Sequence, residues 1–469
     1  MVGISSMSHP TIAVIGAGFS GALLALHLLR RCPPHAHVAL IDRDSSFGRG
    51  MAYGTSNPSH VLNVPAGRMS AFVDRPGDFL DWLNRQPEEV VPAEMRGPGS
   101  FVSRKLYGDY IHEMLAEQAG KQDRLRLVHG DVVSLDRSGD PLVLHTDEGT
   151  RIEADLAVLA IGNFPPAPPP VADMGFYDDP LYRPDPWSET ALSELDPASP
   201  VLLIGTGLTT VDIVISLLDQ GHTGPIHALS RRGLLPRRHA PAAANVLAAS
   251  GPYPATALGL TRHLRGDAER ALANGGDWRT VVDALRPFTQ DVWQAMPTAE
   301  RARFLRHPRA WWDVHRHRMA GAVADRIEGA LASGQLRIHA GRITGYRPHD
   351  MMVDVEMRPR GAEDTVAIPA ARVVNCAGTF ADFARIPHPL VRTLLASGVA
   401  RPDPLRLGLD VTASGALRNR AGDVSRRLFA VGPVTKSTFW EITAVPDIRR
   451  QCETLAQHVA GLVRPPSAR

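Results

Sequence analysis

Cysteine is scarce in this sequence, and neither sign of charge is in large excess. The three cysteines, Cys32, Cys376 and Cys452, lie far apart among 469 residues and form no CxxC pair. We interpret them as small buried side chains, and their spacing argues against a dithiol–disulfide exchange centre, which needs two close thiols. A formal net charge of +2 predicts no nucleic-acid partner and no attraction to a membrane surface.

Lysine and long apolar runs are also rare. Lysine occurs only at Lys105, Lys121 and Lys436, so arginine supplies nearly all of the basic side chains, which indicates genomic base composition rather than function. The apolar stretch 22–29 is too short to span a bilayer, and residues 1–10 lack the charged start and apolar core of a signal peptide. We therefore expect a cytoplasmic protein, and the length predicts two or three domains.

The strongest pattern in the sequence lies in residues 11–42. An apolar, β-branched run predicts a buried strand; it leads into a GxGxxG turn, an apolar helix and a second strand that ends on Asp42. Gly16 permits the tight turn, Gly18 lets the backbone approach a pyrophosphate, and Gly21 lets helix and strand pack closely. The helix N-terminus favours a diphosphate, and Asp42 can bind both hydroxyls of an unphosphorylated ribose. We predict a dinucleotide site, with a glycine-rich turn without a ligand as the alternative.

Two more stretches of the N-terminal part carry signals. Residues 47–72 are rich in Gly, Pro, Ser and Asn, which predicts a long loop. Loops of this length are usually functional, and we expect this one to wrap a bound dinucleotide. The apolar strand 155–162 ends at Gly162, and the proline-rich residues 165–170 that follow predict a stiff linker between domains. The alternative there is a core strand followed by a surface loop.

The opening pattern recurs after that linker. A strand leads into Gly205 and Gly207, with Thr210 in the place of the third glycine, and a helix and another strand follow. The acid at the strand tip is replaced by a short polar run: Ser230, Arg231 and Arg232. An acid would repel a 2′-phosphate, whereas arginine can bind one with two hydrogen bonds. This half predicts a nicotinamide-nucleotide site that prefers NADPH, and the alternative is a solvated turn.

The sequence then turns helical and later returns to strands. Residues 236–334 are predicted to be mainly helical, because 266–285 and 299–331 carry amphipathic spacing that Gly and Pro interrupt. Within them His315 and His317 face different sides of a helix and make a poor metal pair, so we predict no metal site. The strand 373–378 repeats the pattern of the strand that ends at Gly162. We expect it to return the chain to the first domain.

The C-terminal part closes that first domain. A predicted strand ends at Gly432, and residues 443–462 show the apolar spacing of a helix. Pro446 suits the first turn of this helix. The positive dipole end of the helix would favour an anionic group near its N-terminus.

These motifs resemble those of the FAD/NAD(P)-binding flavoproteins, which carry two dinucleotide folds in one chain. Residues 160–166, AIGNFPP, resemble the linker motif of the monooxygenase branch. Residues 48–72 and 436–449 are similar to a bacterial group of flavoproteins that includes an FAD-dependent urate hydroxylase. The FxGxxxHxxx(W/P) signature of Baeyer–Villiger enzymes is absent, and no match to the substrate residues of the siderophore amine hydroxylases is evident.

The resemblance implies an α/β fold with two Rossmann-like dinucleotide-binding domains, the NAD(P) domain being inserted in a discontinuous FAD domain. The first part of the FAD domain is expected at residues 8–168 and the second part at 373–465. The NAD(P) domain is expected at 198–372 and includes a helical insertion at 240–334.

The resemblance also implies FAD in the first domain and NADPH, or alternatively NADH, in the second. The residues assigned to FAD are Gly16, Gly18, Phe19, Ser20, Gly21, Asp42, Arg43, Gly162, Gly378, Gly432 and Thr443. Those assigned to the nicotinamide nucleotide are Gly205, Gly207, Leu208, Thr209, Ser230, Arg231 and Arg232. Arg49, Arg68 and Lys436 are candidates for binding an anionic substrate, although ordinary basic surface is the alternative for each. No side chain is assigned as a catalytic acid or base.

The implied activity is that of a monooxygenase. NADPH would reduce the flavin, and the reduced flavin would then use O2 to hydroxylate a small nitrogenous aromatic metabolite, with urate converted to 5-hydroxyisourate as the named candidate. Two alternatives remain open. One is a flavin reductase or oxidase that passes electrons to a partner or to oxygen, and the other is a non-catalytic redox sensor.

Overall fold

The structure is a computed structural model that describes residues 9–121, 123–240 and 252–463. Residues 1–8 and 464–465, where the predicted FAD domain begins and ends, and residues 241–251 of the predicted helical insertion lie outside the described residues. Two compact units are present. The first combines the chain up to Pro58 with Val64–Asn163 and the chain from Ala381 onward. The second combines Ser59–Asn63 with Phe164–Phe380.

The strands of the described residues are, in chain order, β1 (Thr11–Ile15), β2 (His37–Asp42), β3 (Leu125–His129), β4 (Val132–Asp136), β5 (Leu142–Thr146), β6 (Arg151–Ala154), β7 (Leu156–Leu159), β8 (Tyr182–Arg183), β9 (Val201–Ile204), β10 (Ile226–Ser230), β11 (Leu336–His349), β12 (Met352–Pro359), β13 (Val366–Ala370), β14 (Arg372–Asn375), β15 (Ala416–Arg418) and β16 (Val424–Ala430).

The α-helices are α1 (Phe19–Arg31), α2 (Gly50–Tyr53), α3 (Asp78–Arg85), α4 (Arg104–Lys121), α5 (Leu208–Asp219), α6 (Ala257–Ala273), α7 (Trp278–Leu285), α8 (Thr289–Ala295), α9 (Thr298–Arg306), α10 (Arg309–Arg316), α11 (Gly321–Ala332), α12 (Pro389–Ala396) and α13 (Val445–Leu462). Within the stretch 236–334 that was predicted to be helical, the described residues form helices α6 to α11 between Ala257 and Ala332, whereas residues 236–240 are not helical.

A six-stranded sheet in the order β15-β16-β7-β1-β2-β3 forms the core of the first unit. The pairs from β16 to β3 are parallel, and only β15 runs antiparallel to its neighbour. Every residue of β7 is buried, as are the last four of β1, which fits strands covered on both faces. Helices α1 and α13 pack against each other.

The placement of β3 differs from expectation. In the sequence, the alternation of apolar and polar residues in 125–135 and 142–146 predicts strands of one small sheet. Only β4 joins β5 and β6 in that three-stranded antiparallel sheet, whereas β3 extends the parallel sheet by pairing with β2. In β3 and in β4 the first and fourth residues are buried, so the apolar pattern did not distinguish the partners of the two strands.

A seven-stranded sheet in the order β13-β12-β11-β10-β9-β14-β8 forms the second unit. Strand β11 pairs in parallel with β10 over its first residues and antiparallel with β12 over the remainder. Strand β14 pairs in parallel with β9. Our expectation that residues 373–378 return the chain to the first domain was therefore wrong: the strand completes the second sheet, and the first unit resumes at Ala381.

Candidate functional site

The first glycine turn, between β1 and α1, has a geometry that two of its glycines enforce. Gly16 adopts φ +99°, and its N–H donates to the Ile41 carbonyl at 2.8 Å. A Cβ at this position would overlap the Ala160 carbonyl oxygen and lie 2.8 Å from its carbonyl carbon. A Cβ at Gly21 would overlap the Gly16 carbonyl oxygen. The predicted tight turn and the predicted close helix–strand contact are both present in this geometry.

Gly18 differs from these two glycines because the protein itself leaves room for a side chain there. It is the N-cap of α1, in an extended conformation, and no side chain caps this helix within the described part of the chain. The first turn of α1 carries no acidic residue. A Cβ on Gly18 would lie 3.6 Å from the Cα of Gly50, which is an ordinary contact. Packing within the protein therefore does not require glycine at this position.

The carboxylate of Asp42 is held by backbone amides. It accepts hydrogen bonds from the Ala17 N–H and, at 3.0 Å, from the Asp44 N–H. Burial raises the pKa of Asp42, against the lowering effect of those two amide bonds. Each carboxylate oxygen keeps a further lone pair, so the acid can still accept from ribose hydroxyls. The neighbouring Arg43 is exposed and lies 4.0 Å from the Asp44 carboxylate.

The start of the predicted loop lies directly against the glycine turn. The Gly48 N–H donates to the Ala17 carbonyl at 2.8 Å, and Gly50 approaches Gly18 so closely that a Cβ on Gly50 would lie 2.8 Å from the Gly18 Cα. Gly48 and Gly50 both have positive φ, +93° and +54°. Sequence reasoning did not single out these two glycines, although the glycine content of residues 47–72 was the available signal.

The side chains that follow the turn are buried. Phe19 packs edge-on against Tyr53, with ring centroids 5.5 Å apart, and it also meets Tyr107 at 5.7 Å. The backbone carbonyl of Ser20 accepts a hydrogen bond from the Cys452 thiol of α13 at 3.4 Å. Phe19 and Ser20 therefore anchor α1 against the rest of the unit.

Gly432, at the end of β16, is locked by a ring of three hydrogen bonds. Its N–H donates to Gln451 Oε1, Gln451 Nε2 donates to Thr435 Oγ1, and Thr435 Oγ1 donates to the Gly432 carbonyl, each at 2.8 Å. A Cβ on Gly432 would overlap Ser20 Oγ and lie 2.8 Å from Ser20 Cβ. The structure thus brings Gly432 and Ser20 together, as the assignment of both to one cofactor requires. Sequence reasoning missed Gln451 and Thr435.

Gly162 and Thr443 are less constrained. Gly162 has φ +68°, and no atom of the described chain lies within 4 Å of the Cβ that it lacks. Thr443 is exposed and precedes the first residue of α13, Val445. The predicted helix start at residue 443 is therefore two residues early, while Pro446 does lie in the first turn as predicted.

The three candidate substrate residues have different surroundings. Arg49 Nη2 lies 2.8 Å from the Asp109 carboxylate, which also binds Lys105 at 2.8 Å. Arg68 is exposed at the end of the short 3-10 turn Ala66–Arg68. Lys436 lies over the Trp440 ring, 5.1 Å from its centroid. Of the three, Arg68 is the most exposed, and all three remain candidates for binding an anion.

The second glycine turn, between β9 and α5, repeats the geometry of the first. The Gly205 N–H donates to the Leu229 carbonyl at 2.7 Å, and a Cβ on Gly205 would overlap the Cys376 carbonyl oxygen and lie 2.8 Å from its carbonyl carbon. Gly207 is the N-cap of α5, and nothing in the described chain lies within 4 Å of its missing Cβ. Thr210 is fully buried, so the helix and strand accommodate a side chain where Gly21 stands in the first turn.

The residues after Gly207 and those at the end of β10 differ in their surroundings. Leu208 and Thr209 are half-buried, and Leu208 packs against the core of the second unit. The Ser230 hydroxyl accepts from the Gly233 N–H at 3.0 Å. Arg231 is exposed, and Arg232 Nη2 donates to the His307 carbonyl at 3.4 Å.

Gly378 was assigned to the FAD domain, and this placement is corrected by the structure. It follows β14 and belongs to the second unit. It is exposed with φ +90°, and no described atom lies within 4 Å of its missing Cβ. The sequence pattern correctly predicted a strand here, but we assigned it to the wrong sheet. The apolar run of a buried parallel strand does not indicate which strand it pairs with.

The cysteines offer no reactive thiol. All three are buried, and burial raises the pKa of Cys32 to about 11 and the pKa values of Cys376 and Cys452 further. Among the described residues, no group of three or more His, Cys, Asp or Glu side chains could hold a metal ion. The same residues include no helix that is both long enough and apolar enough to cross a membrane.

The fold is the two-dinucleotide-binding-domain fold of flavoprotein monooxygenases, as the sequence predicted. Residues 13–164 match the family described as FAD-NAD(P)-binding. Uncharacterized proteins of Mycobacterium tuberculosis and Mycobacterium bovis are 22% identical to this chain, with 98% of each chain covered.

Three solved structures show this fold over nearly the whole chain. The ornithine hydroxylase of Pseudomonas aeruginosa, in its reduced form, has a TM-score of 0.66 and 14% identity, with 98% of this chain and 100% of that chain covered. The ornithine N-hydroxylase of Kutzneria sp. 744, with reduced FAD, NADP+ and L-ornithine, has a TM-score of 0.67 and 14% identity, with 96% of this chain and 99% of that chain covered. The FAD-bound cadaverine monooxygenase of Erwinia amylovora has a TM-score of 0.67 and 14% identity, with 98% of this chain and 96% of that chain covered.

Proposed function

We propose that this protein is an FAD-dependent monooxygenase that consumes NADPH and O2 and hydroxylates a small nitrogenous metabolite. The observation that carries the proposal is the pair of equivalent glycine turns at Gly16 and Gly205, one in each unit, each opening a helix without a side-chain cap in the described structure. Similarity in fold to three flavin hydroxylases supports the same reading.

The first unit is the proposed FAD site. The uncapped N-terminus of α1 favours a diphosphate, and Gly18 leaves the space beside it open. The remaining lone pairs of Asp42 would bind ribose hydroxyls. Ser20, locked against Gly432, would border the same cofactor.

The second unit is the proposed NADPH site. The uncapped N-terminus of α5 and the open side of Gly207 suit a second diphosphate. At the tip of β10, Ser230 stands where an acid would repel a 2′-phosphate. The exposed Arg231 and the neighbouring Arg232 can bind that phosphate through charge-assisted hydrogen bonds.

Bound FAD would supply the redox chemistry, taking a hydride from NADPH and delivering electrons to O2. The chain's own task is to bind and orient both nucleotides and to exclude water from the reacting centre. The buried, protonated thiols of Cys32 and Cys452 take no part in electron transfer in this proposal.

For the substrate we propose two candidate classes. Urate is the aromatic candidate, from the resemblance of residues 48–72 and 436–449. An anionic substrate of this kind would use the positive charge of Arg68, which is exposed, or of Lys436, which is half-buried over the Trp440 ring. A primary amine is the aliphatic candidate, because the three solved structures are hydroxylases or monooxygenases of ornithine and cadaverine. An amine would be cationic and would gain nothing from these two side chains.

The test is NADPH oxidation by the flavin-loaded protein under labelled oxygen gas, with urate, L-ornithine, L-lysine and cadaverine as separate additions. We expect one addition to accelerate NADPH oxidation and one labelled oxygen atom to enter the product. Acceleration by urate that is lost in Arg68→Ala or Lys436→Ala would select the aromatic class. If all the oxygen appears as hydrogen peroxide, the protein is an oxidase; if only an acceptor protein stimulates turnover, it is a reductase; and no NADPH oxidation at all indicates a redox sensor.

A further inference from the structure

The two glycine turns can be compared position by position because their strand registers match. Ile15 pairs with Ile41 in the first sheet, and Ile204 pairs with Leu229 in the second. The first glycine of each turn donates its N–H to the last paired residue of the neighbouring strand. The residue that follows that strand residue is an acid in the first unit, Asp42, and a serine in the second.

The same register places Ala17 and Thr206 in equivalent positions, directly after the first glycine of each turn. In the first unit the Ala17 N–H donates to the Asp42 carboxylate, and the alanine side chain takes no part. In the second unit the contact is made instead by the Thr206 hydroxyl, which lies 2.9 Å from Ser230 Oγ. Thr206 is buried, with 6% of its surface exposed.

The directions of these hydrogen bonds follow from the single proton of each hydroxyl. Thr206 Oγ1 donates to the Leu234 carbonyl at 2.6 Å. It must therefore accept from the Ser230 hydroxyl, which in turn accepts from the Gly233 N–H at 3.0 Å. Three bonds, two of them made directly by Thr206, close the turn 230–234.

We propose that Thr206 is a positioning residue that sets the nucleotide specificity of the second unit. It fixes the turn that carries Arg231 and Arg232, so that these two arginines meet a 2′-phosphate without first paying to order the backbone. Thr206 also accepts the hydroxyl proton of Ser230, so Ser230 has no proton left to donate to another group. This inference rests on the proposed NADPH site, since it assigns a role only if the turn binds that phosphate.

A second feature of the turn supports the role of Thr206. Gly233 has φ +60°, and a Cβ on it would lie 3.1 Å from the Ala340 side chain. The turn is thus fixed on one side by β11 and on the other by the Thr206 hydroxyl. The approach of Gly233 to Ala340 of β11 is apolar and orients no polar group, so the orientation of the polar groups in the turn depends on the Thr206 hydroxyl.

The experiment compares Thr206→Val, which keeps the branched shape without the hydroxyl, with Thr206→Ser, which keeps the hydroxyl. Thr280→Val is the matched control, because Thr280 is also buried in the second unit and its hydroxyl also donates to a backbone carbonyl, that of Asp277 at 2.7 Å. Two quantities are measured on the flavin-loaded protein: the dissociation constants of NADP+ and NAD+ by calorimetry, and kcat and KM for flavin reduction by NADPH and NADH.

We expect Thr206→Val to weaken NADP+ binding and to raise the KM for NADPH by about tenfold. A change of this size corresponds to the loss of one hydrogen bond that positions the phosphate-binding arginines. NAD+ binding and kcat should stay within about twofold, Thr206→Ser should restore the preference, and Thr280→Val should leave it unchanged. An unchanged preference in Thr206→Val, or an equal loss for both nucleotides, overturns the inference. A wild-type protein that binds NADP+ and NAD+ equally overturns the proposed NADPH site itself.

Discussion

A Cβ on Gly16 would lie 2.8 Å from the carbonyl carbon of Ala160, at a position where φ is +99°. The backbone directly after β7 therefore approaches the first glycine turn too closely for a side chain on Gly16. Gly205 and Cys376 stand in the same relation, also at 2.8 Å, in the second unit. Each unit can thus be impaired separately by one methyl group.

We predict that Gly16→Ala abolishes FAD binding and that Gly205→Ala abolishes NADP+ binding while FAD is retained. Both variants overlap a backbone carbonyl and place alanine at a positive φ, +99° at residue 16 and +119° at residue 205, so the two substitutions are comparable and affect different units. The measurements are the ratio of flavin to protein absorbance and calorimetric NADP+ titration. Normal flavin content in Gly16→Ala would contradict the assignment of FAD to the first unit.

Gly18 allows a test that misfolding cannot imitate. A Cβ there meets only the Cα of Gly50 at 3.6 Å, and its φ is −64°. We predict that Gly18→Ala keeps the thermal unfolding midpoint of the apoprotein within a few degrees but weakens FAD binding by about tenfold or more, because the methyl group meets the pyrophosphate.

The matched control for this substitution is Gly99→Ala in the same unit, since no described atom lies within 4 Å of the Cβ it would gain. This variant should match the parent in both stability and flavin affinity. Equal FAD affinity in Gly18→Ala and Gly99→Ala would show that the pyrophosphate does not lie against Gly18.

The arginines after β10 should decide the nucleotide preference. Arg231 is exposed, so Arg231→Ala should leave stability unchanged. We predict that the double replacement Arg231→Ala with Arg232→Ala lowers the ratio of kcat/KM for NADPH to that for NADH by about ten- to a hundredfold, the range for losing charge-assisted contacts to the 2′-phosphate. Arg358→Ala, an exposed arginine on β12, serves as the control. Parent protein that uses both nucleotides equally well would refute the prediction.

The stability of the first unit should fall in mild acid because of His27. This histidine is 1% exposed, and burial, together with the charges of Arg30 and Arg31, lowers its pKa to about 4. The unfolded chain takes up a proton as the pH falls below about 6.5 and the folded chain does not. His27 therefore stabilises the fold above pH 6.5, and this contribution is lost as the pH falls towards 4.

The size of this effect follows from the pKa difference. Between pH 7 and pH 5 the free energy of unfolding should fall by at most about 2 kcal/mol on account of His27. Urea unfolding at the two pH values measures the change. His27→Leu should make the unfolding free energy less dependent on pH, although the variant is less stable at pH 7. The same pH dependence in parent and variant would mean that the pKa of His27 is the same in the folded and the unfolded chain.

The sequence determined the features that depend on local backbone chemistry. The strands at 11–15 and 201–204, the glycine turns that follow them and the helices that begin after Gly18 and Gly207 were all predictable. A positive φ favours glycine, and a continuous apolar run indicates a strand buried on both faces. These rules need only residues that are near in sequence, and from them the two-domain α/β fold followed.

Only the tertiary structure decided which distant segments meet. The sequences of β3 and β14 each predicted a strand, but they did not indicate to which sheet the strand belongs. The ring that locks Gly432 needs Gln451 from a helix 19 residues further on, and Arg49 forms an ion pair with an aspartate 60 residues away. The hydrogen bond from the Thr206 hydroxyl to the Leu234 carbonyl joins residues 28 positions apart in the sequence. Hydrogen bonds and ion pairs of this kind depend on positions in space, which apolar periodicity and glycine spacing along the chain do not encode.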